Sequence, residues 1–256
     1  MKPRIAVHKF ASCDGCQLAL LNAGQDLLRL AAQVEILHFA EAGPVDPEAE
    51  VDVALVEGSI TTAHDIKRIT SIRAHSRFVM TLGACATSGG LQALRNYADV
   101  QQWTSAIYAQ PQYIEALAQS TPIREHIRVD FELWGCPVNS RQVLSAVRDL
   151  LSGVAPKNEV NKVCQECKRQ HHTCVMVTKG LACLGPVTRT GCGALCPSVG
   201  RACYGCYGPA ENVNSASLAA QYETLGITPP EIVKRFRYFH STDEKFDATA
   251  NTWGKK

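Results

Sequence analysis

No run of apolar residues in this chain approaches the roughly 20 that a membrane-spanning helix needs. The opening Met-Lys-Pro-Arg-Ile-Ala-Val-His has neither the apolar stretch of a secretory signal nor a twin arginine, and it runs directly into a strand-like pattern. Charge imbalance is missing too. The 26 basic and 24 acidic residues leave a net +2, which gives nucleic acid and anionic membranes nothing to attract. The glycine-rich stretch 83–90 lacks the Lys-Ser/Thr that closes a phosphate loop, and its spacing is not a dinucleotide fingerprint. No internal repeat is visible beyond two groups of cysteines. These absences predict a cytoplasmic protein with no membrane span and no nucleic-acid partner. With 256 residues and 46% hydrophobic content, the chain is long and apolar enough for a substantial core.

Cysteine is what the chain has in excess, with twelve residues. Eight fall between Cys164 and Cys206, as Cys164-x2-Cys167, Cys174, Cys183, Cys192-x3-Cys196-Pro197 and Cys203-x2-Cys206. That stretch is rich in glycine and polar residues and has little with which to build an apolar core, so metal–thiolate bonds are its natural source of order. The other four are Cys13-x2-Cys16, Cys85 and Cys136. In a reducing compartment this richness means metal rather than disulfides. Twelve thiols make three sets of four, the number that holds a 4Fe-4S cluster or a structural zinc.

Taken in order, residues 3–10 read as a strand and 11–16 as a turn, with one helix from there to about Ala32 bearing Leu18, Leu21 and Leu28 on one face. Strands follow at 34–39 and 51–56, the latter apolar enough to be buried on both faces. Thr61 or Thr62 caps a helix to about Ser76. A fourth strand covers 78–82, residues 83–90 are its exit loop, and 96–124 is an irregular insertion. The fifth strand spans 127–134, and Asn139 caps a helix through Leu151.

Five alternations of strand and helix predict an α/β fold with a flavodoxin-like, doubly wound parallel sheet. Every upstream cysteine lies just past a strand's C-terminal end, the edge where such sheets bind ligands. Glu57, an acid at the tip of a buried strand, is a candidate for a role near that crevice or at an interface. The glycines of 83–90 let backbone pass close to a bulky ligand.

The predicted domains are 1–152, the sheet, and 153–256, a small irregular cysteine-rich domain with C-terminal helices. Residues 153–161 form the link. Helices are expected from Ser215 to Leu225 and from Thr228 onward, with a loosely ordered tail from Ser241. His171 and His172 read as polar loop residues, and Lys234, Arg235 and Arg237 as a solvated helix face. One or two structural zinc sites are the other reading of 164–206. The irregular spacing and the Cys196-Pro197 step, which echoes the end of bacterial ferredoxin motifs, favour iron–sulfur clusters. Single cysteines drawn from distant loops also suit zinc poorly.

Several motifs carry a family likeness. Cys13-Asp-Gly-Cys16, Glu57-Gly-Ser-Ile60, Gly83-Ala-Cys85 with Gly89-Gly90, and Gly135-Cys136-Pro137 resemble the electron-transfer small subunit of nickel–iron hydrogenases. The related subunit of NADH:quinone oxidoreductase shares part of this pattern but lacks a second cysteine-rich domain. Residues 183–197 are most similar to the delta subunit of cytoplasmic, NAD(P)-linked hydrogenases of the sulfhydrogenase type. The resemblance implies three 4Fe-4S clusters in a line. Cys13, Cys16, Cys85 and Cys136 would hold the proximal one. Cys192, Cys196, Cys203 and Cys206 would hold the medial one, and Cys164, Cys167, Cys174 and Cys183 the distal one. An interleaved division of the last eight is the alternative.

The resemblance further implies a non-catalytic relay subunit. Its partners would be a large subunit bearing the nickel–iron centre and iron–sulfur/flavin diaphorase subunits binding NAD(P). A hydrogenase linked to a deazaflavin or a heterodisulfide reductase is the near alternative, and a zinc-bound scaffold with no redox role the distant one.

Overall fold

The computed structural model describes residues 2–255. They form two compact units, one from residues up to 133 together with 137–157, the other from 134–136 with 158 onward.

The first unit is built on five parallel strands, β1 (Arg4–Lys9), β2 (Glu35–Phe39), β3 (Val51–Glu57), β4 (Ser76–Leu82) and β5 (Phe131–Leu133). Their order is β2-β1-β3-β4-β5, the doubly wound arrangement expected. Six helices accompany them: α1 (Gly15–Leu21), α2 (Gln25–Ala31), α3 (Ala63–Ala74), α4 (Gly83–Ser88), α5 (Val100–Ile107) and α6 (Ser140–Leu151).

Alternation along the strands sends side chains to two cores. Ile5, Val7, Val53, Leu55, Met80 and Leu82 pack with Leu20, Leu30, Val143 and Val147 of α1, α2 and α6. Ala6, Ala54, Val56 and Val79 pack with Ile69 and Ile72 of α3 on the opposite face. Thr62 caps α3 in a reciprocal box with Asp65, and Asn139 caps α6 by accepting from the Arg141 amide.

Five expectations are corrected here. The helix to Ala32 is two helices, because Gly24 turns left-handed (φ 57°) and restarts the register. The buried leucines are therefore Leu20 and Leu30, while Leu18 and Leu28 face solvent. Residues 83–88 are one helical turn rather than a loop. Its buried hydroxyls, Thr87 and Ser88, donate back to the Gly83 and Ala84 carbonyls. The fifth strand is only three residues long. At its entry the Asp130 carboxylate, not a backbone carbonyl, accepts from the Val79 amide at 2.8 Å, and Arg73 also pairs with it.

The second unit carries α7 (Val163–Arg169), α8 (Val175–Lys179), α9 (Leu195–Ser198), α10 (Ser215–Thr224), α11 (Pro229–Arg237) and α12 (Glu244–Trp253). The expected helix from Ser215 stops at Gly226 (φ 80°), and Thr228 and Glu231 form a capping box for the next. The fourth correction is the tail. Phe246, Ala250 and Trp253 fall on one helical face, and all three are buried in α12 against Tyr222 and Phe236. Arg237 reaches Asp247 and Asn251 of that helix, and Arg235 lies over the Tyr204 ring at 5.4 Å. The basic stretch of α11 thus ties the unit together instead of being merely solvated. Phe246→Ala is expected to lower unfolding free energy by about 3 kcal/mol, as large aromatic truncations in cores do. A denaturant midpoint unchanged from wild type would contradict the packed tail.

Candidate functional site

Strand order reverses between β1 and β3, and the first cysteines sit there. After β1 the chain turns through Ser12 and Cys13 to Asp14, which adopts a left-handed conformation (φ 63°). Asp14 stands at the cap position of α1, yet its carboxylate is turned toward Lys9 at 2.6 Å and Ser12 at 3.0 Å. The helix start is instead held from the neighbouring strand. Glu57, only 1% exposed, accepts from the Cys16 amide at 3.0 Å and from the Gln17 amide at 3.2 Å. An anion at a helix N-terminus satisfies orphan donors and complements the helix dipole. Glu57 therefore clamps the Cys13–Cys16 loop to the end of β3.

Cys85 lies on α4, at the end of β4. Gly89 and Gly90 follow, both left-handed, at φ 76° and 58°. A Cβ at Gly90 would stand 2.8 Å from the Cys85 sulfur, and one at Gly15 would stand 3.2 Å from the Cys13 sulfur. Glycine is what leaves room around these thiols. Cys136 follows β5 by three residues and groups with the second unit, where its amide bonds to the Cys206 sulfur.

In the second unit the eight thiols sort by their neighbours. The Cys164 thiol is pushed up to about 11 by burial and by Cys183, Cys167 and Cys174 nearby. Burial pushes Cys206 up to about 12, with Cys192, Cys136 and Cys196 adding to it. Cys203 stands between the groups: its amide donates to the Cys183 sulfur at 3.2 Å, and both Cys183 and Cys206 raise its thiol, after burial. Among the described residues no two cysteines are joined in a disulfide. Among the described residues no three histidine, cysteine or acidic side chains converge as on a single ion, so the grouping rests on these neighbour relations.

The residues fit an iron–sulfur group in three respects. The donors are soft thiols in sets. Gly185 opens space beside two of them, since a Cβ there would lie 3.4 Å from the Cys164 sulfur and 3.5 Å from that of Cys183. The hydroxyl of fully buried Tyr222, close to Cys183, Cys203 and Cys164, has no hydrogen-bond partner among the described residues, and a donor in such a place calls for an acceptor. Sequence reading missed Tyr222 and the glycines at 15 and 185. A glycine beside each cysteine motif was the available signal. His172 Nε2 lies 2.7 Å from Gln170 Oε1, in keeping with a polar loop role.

Comparison with known proteins defines the class. Residues 13–150 match the family model of the NADH ubiquinone oxidoreductase 20 kDa subunit. The chain is 33% identical to the delta subunit of sulfhydrogenase 2 from Pyrococcus furiosus, over 92% of this chain and 98% of that one. It is 29% identical to one of the subunits of the F420-non-reducing hydrogenase (vhu) of Methanocaldococcus jannaschii, over 94% and 95%. A crystal structure of an NAD+-reducing NiFe hydrogenase in its H2-reduced state contains a chain that superposes with a TM-score of 0.57 at 28% identity. The match covers 62% of this chain and 96% of that one. The chain belongs to the family of hydrogenase small subunits, oxidoreductase components that pair with a large subunit. Among the described residues no helix is long and apolar enough to cross a membrane.

Proposed function

We propose that this chain relays electrons through three 4Fe-4S clusters in a cytoplasmic hydrogenase, between the large subunit's nickel–iron site and an NAD(P)-reducing iron–sulfur/flavin diaphorase. Cys13, Cys16, Cys85 and Cys136 would hold the proximal cluster, within a domain spanning 1–152. Cys192, Cys196, Cys203 and Cys206 would hold the medial one and Cys164, Cys167, Cys174 and Cys183 the distal one, within 153–256. The clusters supply one-electron storage at potentials set by ligands, hydrogen bonds and exposure.

The observation that carries this reading is that thiols of the second unit, none in a disulfide, lie near one another, with glycines leaving space beside the sulfurs there and in the first unit. The chain's own residues do the positioning. Glu57 fixes the Cys13–Cys16 turn, and the Cys203 and Gly205 amides donate to the sulfurs of Cys183 and Cys203. Leu18, Leu91 and Leu94 are exposed close in sequence to Cys16 and Cys85, a surface suited to the large subunit.

Anaerobically purified complex is expected to contain about 12 iron and 12 sulfide per copy of this chain beyond what its partners hold, four of each per cluster. About eight iron with tightly bound zinc would sink the three-cluster reading.

One observation favours a second acceptor. The F420-non-reducing relative is matched along 94% of this chain, whereas the NAD+-reducing structure accounts for only 62%. A heterodisulfide-reductase-type partner is therefore the alternative to the diaphorase. Hydrogen-driven reduction of NAD(P) by the complete complex distinguishes them.

A further inference from the structure

A second carboxylate, half-buried, repeats the device that Glu57 provides. Glu166 lies in α7 between Cys164 and Cys167, within the set assigned above to the distal cluster. Its two oxygens point away from that set's sequence neighbourhood. Oε1 accepts from the Gly193 amide and Oε2 from the Ala194 amide, both at 3.2 Å.

Those amides belong to the turn between Cys192 and Cys196, in the set assigned to the medial cluster. Gly193 and Ala194 are both left-handed, at φ 67° and 51°. For alanine that conformation is unfavourable and needs support from outside the turn. Two successive amides pointing inward make a concavity that selects an anion, and the Glu166 carboxylate fills it. The Ala194 amide also donates to the Cys192 sulfur, so the carboxylate and that thiol share one donor. Ala194 itself is wholly buried while Gly193 is exposed, so the Ala194 bond to the carboxylate is the better shielded of the two.

We propose that Glu166 is a positioning residue that joins the two cysteine sets of the second unit, borne by one cluster's ligand loop and holding the other's in its left-handed turn. The inference rests on the ligand sets of the proposed function. From it follows an asymmetry: a change at Glu166, beside the distal ligands, is felt at Cys192 and Cys196. Its negative charge beside Cys192 also favours the oxidised state of the cluster there.

The test uses E166Q and E166D in the intact complex, read by iron content and by potentiometric EPR of each cluster. Wild type is read first, because three cluster signals there test the ligand sets independently of Glu166. Glutamine puts an amino group where one amide expects an acceptor. E166Q is expected either to lose the medial signal alone, about four irons of 12, or to retain it with its midpoint potential shifted upward. Full iron and unchanged potentials in E166Q would overturn the proposal while leaving the three-cluster reading intact. Should E166Q lose both signals of the second unit, E166D decides. Recovery of the medial signal supports a carboxylate-specific role, and damage equal to that in E166Q overturns it.

Discussion

In the assembled complex, Cys136→Ser is expected to reduce hydrogen-driven electron output to background with every acceptor, small dyes included. The proposed relay is a series circuit, in which Cys136 is assigned to the element nearest the nickel–iron site. A serine hydroxyl stays protonated near neutral pH and is a harder donor than the thiolate that iron–sulfur clusters take. Even partners in the outer shell of a metal site are worth roughly 10–100-fold in affinity, and losing a ligand exceeds that. Cys164→Ser acts at the opposite end. It is expected to impair transfer to the physiological acceptor while sparing much of the dye-linked rate, since dyes can collect electrons upstream. Dye-linked output separates the two, while hydrogen–deuterium exchange, which needs only the large subunit's centre, is expected to persist in both. If Cys164→Ser abolished dye-linked output and Cys136→Ser left it intact, the proximal and distal labels would be reversed.

Removing the Glu57 side chain is the second large effect. Glu57→Ala strips the acceptor from two buried amides, at Cys16 and Gln17. Each unsatisfied buried donor costs about 1–3 kcal/mol, so the expected loss is roughly 2–6 kcal/mol, a large share of an ordinary domain's stability. The lost stability should come with a loosened Cys13–Cys16 turn, because Asp14, engaged with Lys9, is not free to cap α1. Glu57→Gln keeps one acceptor and is expected to fall between alanine and wild type. Chemical denaturation with iron analysis of the folded fraction measures both consequences. A Glu57→Ala protein with wild-type midpoint and full iron content would remove Glu57 from the site.

Much of this was legible in the amino-acid order, and the reasons differ by element. Strands β1 to β4 and helices α3 and α6 announce themselves because their burial follows one period and their caps are local: Thr62 with Asp65, Asn139 with Arg141. The placement of cysteines at strand ends needs only strand boundaries and the rule that parallel sheets bind at their C-terminal edge. What stayed hidden depends on partners far along the chain. A single helical period through 16–32 does not show that Leu30, not Leu28, is buried, since the break at Gly24 resets the helix phase. The short β5 depends on Asp130 meeting the Val79 amide across 51 positions. Glu57 stands out in the sequence by its place at a strand tip. Glu166 does not, because an acid between two cysteines resembles surface charge and the amides it holds are 27 and 28 residues away.

The burial of Trp253 has a consequence in time. Val163, Leu184, Phe246 and Trp253 share one core, so that core stays open until the ribosome has made its last member. Cys206, the final cysteine, is synthesised about fifty residues earlier. At roughly 5–20 residues per second, the eight thiols wait several seconds on a nascent chain whose hydrophobic shell is incomplete. Delivery of the proposed clusters to this unit would therefore follow translation or find an open scaffold, and in either case the thiols need protection from oxygen during that interval.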